Sequence, residues 1–286
     1  MLEGSAELSR GRLHFVAAGN GLPVVLLHGW PGFWFDYRRV LPAAARYGYV
    51  IAPDFFGFGG SGPLDGDPLA AGEEQFARDV LDLLDVLGLQ RAILVGHDIG
   101  SAVAAAAARM APHRVSGLVL LNPTHPYIGA KRDTPAAQRE TWYQHFHLLP
   151  LAGQLIDGDR ARVEHYLKHF YTHWAGETSI EQDDLAVIVD AYARPGAFTS
   201  SITWYRARAA LRDRGITPPP PVHLPTIALW GDRDPMRPLE HREGFEQAFP
   251  SSTSRVLRGV GHFVPAEAPG AVVTAITQVL QATNRR

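Results

Sequence analysis

The chain has no cysteine among its 286 residues, which excludes disulfides, thiol catalysis and cysteine metal sites. It also has no excess of charge of either sign. Lys and Arg number 27 against 29 Asp and Glu, a formal net charge of −2, so nothing in the charge points to nucleic acid or an anionic membrane surface. Long apolar runs are missing. The alanine-rich stretch AVAAAAARM (102–110) is too short to cross a bilayer and reads as a helix. The first fifteen residues, MLEGSAELSRGRLHF, carry no apolar run of the secretory-signal kind, and a cytoplasmic protein is the expectation.

What is present is a core. Hydrophobic residues make up 46% and charged residues 20%, enough apolar material for a large globular fold. Near-continuous apolar runs at 23–29, 49–54, 91–97, 117–122, 226–231 and 254–259 read as strands covered on both faces, the signature of a parallel sheet. Between the second and third, GEEQFARDVLDLLDVLGL places Phe76, Val80, Leu83, Leu84 and Leu87 on one helical face. The β/α alternation predicts an α/β sheet with right-handed crossovers. It stops after Asn122 and resumes at Thr226. The intervening segment is rich in His, Tyr, Trp and Arg, reads as helical, and ends in the stiff run TPPPPVHLP (217–225). The expected division is therefore a core of residues 1–124 and 222–286 and an inserted helical cap of 125–221.

The third strand runs into LVGHDIGS. A nucleophile elbow reads G-x-S-x-G on a sharp strand-to-helix turn. Here Gly96 and Gly100 frame Asp98, in the place of the serine. Aspartate is also a favoured helix N-cap, so the motif alone does not decide the matter. Its partners follow in the order nucleophile, acid, base. Asp232 and Asp234 lie in GDRDP after one strand, and His262 lies in GVGHF after the last. Asp234 is preferred as the acid that orients His262, and Asp232 as a turn cap. After the first strand, LLHGWPG offers the backbone N–H of Trp30, which can join that of Ile99 in an oxyanion hole. The His28 side chain in that motif is expected to be structural.

Other patterns carry less. Gly57, Gly59 and Gly62 match G-x-G-x-x-G, but the turn-rich PLDGDP follows where a dinucleotide site requires a helix. His165, His169 and His173 are spaced for one helical face, and His145 and His147 lie nearby. Without an HExxH motif they read as polar surface rather than as zinc ligands. No cofactor and no metal are expected.

HGWPG, GHDIG, GDRDP and GVGHF together resemble the α/β-hydrolase fold, in its epoxide hydrolase and haloalkane dehalogenase branch. The resemblance implies a mostly parallel eight-stranded sheet flanked by helices, with a helical cap. It also implies a small-molecule epoxide as substrate, and it leaves a homodimer open. A carboxylate nucleophile suits attack on saturated carbon, since it forms an ester that water can cleave, where a serine would form an inert ether. Dehalogenases typically carry a tryptophan after the nucleophile and the halo-acid branch an arginine. This chain has Ile99. Epoxide opening releases a basic alkoxide that needs a proton donor. The resemblance maps the two ring-opening tyrosines onto Tyr143, in ETWYQHFHLLP, and Tyr205, in SITWYRARAAL, with His145 as a fallback for the first. Some relatives place the orienting acid where this chain has Asn122, whose amide carries no charge. The alternatives are a haloalkane or haloacid dehalogenase with the same Asp98, His262 and Asp234, and a non-catalytic ligand-binding protein of the same fold.

Overall fold

The computed structural model describes residues 1–64, 71–178, 180–213 and 218–283. Eight strands make one sheet: β1 (Leu2–Leu8), β2 (Gly11–Ala18), β3 (Pro23–Leu27), β4 (Tyr49–Pro53), β5 (Ala92–His97), β6 (Val115–Leu121), β7 (Thr226–Gly231) and β8 (Ser252–Leu257). Their order is β1-β2-β4-β3-β5-β6-β7-β8. The β1–β2 hairpin pairs antiparallel onto β4, and β4 through β8 run parallel.

The central strands are apolar throughout because both faces are covered. In β3, Val25 and Leu27 pack into one cluster while Val24 and Leu26 pack into the other. The first layer contains α2 (Glu73–Val86) and α3 (Ile99–Met110), and the second contains α1 (Leu41–Ala44) and α12 (Pro269–Thr283). Phe76, Val80, Leu83 and Leu84 of α2 are buried, while Leu87, just past its end, is half-buried. The alanines of α3 are all buried, and their small side chains let this helix lie close to the sheet.

Between β6 and β7 the chain forms α4 (Pro135–Phe146), α5 (Pro150–Ile156), α6 (Arg160–His173), α7 (Gln182–Tyr192), α8 (Ala197–Ser201) and α9 (Thr203–Asp213). Of TPPPPVHLP, Thr217 lies outside the described residues and the rest has neither helix nor strand. Short helices α10 (Phe245–Ala248) and α11 (Val264–Glu267) flank β8. Asp98, Asp234 and His262 all follow the carboxyl ends of parallel strands, where open α/β sheets place their sites.

Candidate active site

Asp98 stands between β5 and α3 with φ 47° and ψ −110°, a conformation that L-residues rarely adopt. The framing glycines explain how the turn is reached. A Cβ on Gly96 would come within 2.3 Å of the Gly100 carbonyl oxygen, and one on Gly100 within 2.1 Å of that of Leu27. Only bare backbone lets the strand, the turn and the helix approach so closely. The Trp30 N–H points at Asp98 Oδ2 from 3.4 Å. As the first residue of α3, Ile99 has an N–H outside the helical ladder. Burial pushes the Asp98 carboxyl up, but the charges of His262, Arg237 and His97 and the Trp30 N–H leave it below the usual carboxylate range.

His262 Nδ1 meets Asp234 Oδ2 at 2.8 Å, with both side chains essentially inaccessible. The other Asp234 oxygen accepts the backbone N–H of Met236 at 2.8 Å and of Arg237 at 3.1 Å. Burial opposes a charged ring at His262, but Asp234 and Asp98 outweigh it and the net shift is upward from 6.5. Asp232 instead accepts the Gly259 N–H at 2.7 Å, a turn cap. Asn122, at φ 43°, ties strand ends together. Its amide donates to the carbonyls of Gly261 and His262, and its Oδ1 accepts the Gly231 N–H.

Tyr143 and Tyr205 are both buried, and their rings pack edge to face with centroids 5.5 Å apart. The Trp30 indole lies flat against Tyr143 at 5.3 Å and edge-on to Tyr205 at 5.8 Å, which joins α4 and α9 to the loop that presents the Trp30 N–H. Burial raises the pKa of both phenols, and the Asp98 charge adds to it. His145 is exposed. The inward histidine is His147, one turn beyond Tyr143, with Nε2 2.9 Å from the Tyr166 hydroxyl and a pKa lowered by burial to about 3. His165, His169 and His173 are exposed, and no three potential ligands form a metal group among the described residues. Gly57, Gly59 and Gly62 lie in a loop whose Gly60 N–H bonds Asp54, while most of PLDGDP, residues 65–68, lies outside the described residues. His28 is buried, and its Nε2 accepts the Phe55 N–H at 3.0 Å, a structural role.

Residues 23–269 match the family described as the α/β hydrolase fold. The chain belongs to that family. It is 31% identical to a soluble epoxide hydrolase of Corynebacterium sp. over 94% of this chain and 93% of that one. A 2-hydroxy-6-oxo-2,4-heptadienoate hydrolase of Pseudomonas putida is also 31% identical, over 95% and 93%. The solved structure of the epoxide hydrolase CorEH superposes with a TM-score of 0.85 at 28% identity, covering 98% of this chain and 99% of that one. Two relatives of equal identity thus carry names for different reactions, and the residue at the elbow has to discriminate between them.

This α/β-hydrolase site also contains groups that the motifs did not mark. Glu267, on α11, accepts the N–H of Gly261 and Gly176 on one oxygen and of Phe263 on the other, pinning the His262 loop from both sides. Tyr171 and Tyr192 reach from α6 and α7 to the carbonyls of Pro31 and Gly32. Arg237 lies with Nη2 3.4 Å from Asp98 Oδ1. Neither Arg237 nor Glu267 stands out in the sequence, because the partners of both appear only in three dimensions. Asp36 is buried near the same loop and its carboxyl is pushed up by burial to about 8. With His97, Tyr171 and Phe263 it lines a small cavity of about 30 Å³ that Asp98 and the two phenols do not border. Among the described residues no helix is long and apolar enough to cross a membrane.

Proposed function

We propose that this protein is a cofactor-independent epoxide hydrolase, with the helices within 125–221 acting as a cap over the reacting atoms. The observation that carries the reading is Asp98 itself. A carboxylate occupies the strained tip of the elbow, beside a His262–Asp234 pair and a cluster holding two buried phenols. The 31% identity to a bacterial soluble epoxide hydrolase supports it.

In this scheme Asp98 Oδ2 rests on the Trp30 N–H, and Oδ1 attacks a ring carbon of the epoxide. The ring C–O bond breaks, its electrons pass to the ring oxygen, and that oxygen takes a proton from Tyr143 or Tyr205, which recovers one from solvent. Phenols with raised pKa hold their protons at neutral pH and yield them only to a strongly basic alkoxide. The product of this half is an ester on Asp98. His262 then takes a proton from water through Nε2, and the hydroxide adds to the Asp98 carbonyl carbon. The oxyanion forms on Oδ2, facing the N–H groups of Trp30 and Ile99. Collapse expels the alkoxide, which takes the proton back from His262 and leaves as the vicinal diol, while Asp98 keeps a water oxygen and sheds its proton to solvent. A single turnover in heavy-oxygen water is expected to label the peptide containing Asp98 and not the diol. Label in the diol alone rules out the covalent route.

A second reading, hydrolytic dehalogenation of an α-halo acid, draws support from Arg237 beside Asp98. It leaves both phenols without a proton to deliver, because halide departs as an anion. Halide release assayed beside diol formation separates the two.

A further inference from the structure

Arg237 is a cation placed against the attacking oxygen. Its Nη1 donates to the Met236 carbonyl at 2.9 Å, which fixes the guanidinium. Its Nη2 lies 3.4 Å from Asp98 Oδ1, and its buried Nε has no acceptor among the described residues. Nε and Nη2 form the side edge of the guanidinium, the pair that binds a carboxylate in two parallel bonds. That edge is thus occupied at one end by a long contact and empty at the other. A charge-assisted N–H···O bond is normally about 2.7–2.9 Å, so the contact with Asp98 is not that of a closed ion pair.

Among the described residues Asp98 is the one carboxylate within ion-pair distance of Arg237. His241, buried close by, has no hydrogen-bond partner on either ring nitrogen among the described residues, and burial with the charges of Arg237 and Arg132 lowers its pKa to about 4, so it stays neutral. His262 and Tyr143 also feel the Arg237 charge.

The reaction makes that charge matter. When Asp98 Oδ1 bonds carbon, its negative charge passes to the ring oxygen and is then quenched by a phenol. A neutral ester remains beside a half-buried cation. With a neutral epoxide, Arg237 would lose in the intermediate the one carboxylate that pairs with it among the described residues. An anionic group on the substrate restores the pairing in both the bound and the esterified states, and leaves Oδ1 freer to attack.

We propose that Arg237 is a specificity-determining residue that seats a carboxylate on the substrate, so that the favoured substrates are epoxides bearing a carboxylate one or two bonds from the attacked carbon. The distance sets that limit. Attack brings the carbon to about 3–3.5 Å from Oδ1, and Nη2 is 3.4 Å from the same oxygen. The inference rests on the epoxide hydrolase reading for the reaction, and not for the anion seat.

Phenylglycidate and phenylglycidamide share the oxirane and differ in charge, so the test compares them on the parent enzyme, Arg237→Gln and Arg237→Lys. The parent is expected to favour the glycidate by about tenfold or more in kcat/KM. Arg237→Gln should cut the glycidate value by about a hundredfold, mostly through KM, and the amide value far less. Arg237→Lys should fall between. Thermal melts verify folding, and calorimetric binding of the dihydroxy-acid product, against its amide, reads the seat without turnover. Equal losses on both substrates, or no preference in the parent, overturn the proposal. Should α-chloropropionate release halide in an Arg237-dependent way while neither epoxide opens, the epoxide reading falls and the anion seat stands.

Discussion

The core loops and the inserted helices hold their functional groups by different physics. At the strand ends, position is set by backbone hydrogen bonds. Asp234 is fixed by two N–H groups, the His262 loop by Glu267, Asn122 and the Trp174 carbonyl, and Asp98 by a turn that two glycines permit. In the inserted helices, Tyr143 and Tyr205 are held by ring contacts with Trp30, His147 and each other. Polar loops of this kind impose direction on a charge, whereas aromatic packing fixes a ring plane, and the Tyr143 hydroxyl is met by the Gln144 side-chain amide at 3.2 Å. In the proposed reaction the difference has a kinetic counterpart. Ring opening draws on the helices, ester hydrolysis on His262 and Asp234.

The sharpest way to break that division is Asp234→Asn. The amide can donate to His262 Nδ1 and so favour the wrong tautomer, and it removes the charge that supports the imidazolium. The expected loss is about a thousandfold or more in ester hydrolysis. Ring opening, which draws on ionised Asp98 and the two phenols rather than on His262 and Asp234, should survive, so rapid-quench experiments and intact-protein mass spectrometry should show the ester accumulating. Loss of the ester together with turnover would mean that Asp234 serves both halves. The parent enzyme offers the same separation by pH. His262 must be neutral to accept a proton, so hydrolysis should rise with pH as the ring deprotonates, at a midpoint that Asp234 still holds up but that esterified, uncharged Asp98 no longer raises. Asp98 is held below the ordinary carboxylate range, so ring opening should stay flat well into acid.

The opposite variants are Tyr143→Phe and Tyr205→Phe. Each should slow ring opening by about tenfold to a hundredfold, and the pair together by more than either, because one phenol can cover in part for the other. The ester should then fail to accumulate, the reverse of the Asp234→Asn pattern. Single-turnover rates on a neutral epoxide measure this directly. If Tyr143→Phe alone proves inert, Tyr205 carries the proton transfer and Tyr143 serves as packing for Trp30.

What could be read in the sequence follows the same line. Asp98, Asp234 and His262 sit in motifs because tight turns demand glycine and proline at fixed offsets, and those residues are visible as letters. The strands were legible from their apolar runs, although β8 starts two residues earlier than its run and the β1–β2 hairpin did not stand out. Tyr143 and Tyr205 came only through the resemblance, since their contacts join residues far apart in the chain. Arg237, Glu267 and Asp36 were not legible. Each owes its interest to neighbours brought in by the fold, and each reads in sequence as an ordinary surface charge.

Asp36 tests the weakest side of the comparison, the seam where loop and helices meet. Tyr171 and Tyr192 hold the carbonyls of Pro31 and Gly32, and a Cβ on Gly32 would fall 1.8 Å from Asp36 Oδ2. The seam is therefore tightly packed around a carboxyl that burial drives to about 8. Between about pH 4 and pH 8 the folded state keeps a proton on Asp36 that the unfolded chain has lost, so stability falls as pH rises through that window. Asp36→Asn removes this titration while keeping the shape. Its melting temperature should match the parent's near pH 4 and exceed it by about 3 °C or more at pH 8. A gap that narrows with rising pH would mean that Asp36 is ionised and paired in the folded protein, and that polar contacts rather than packing hold the seam.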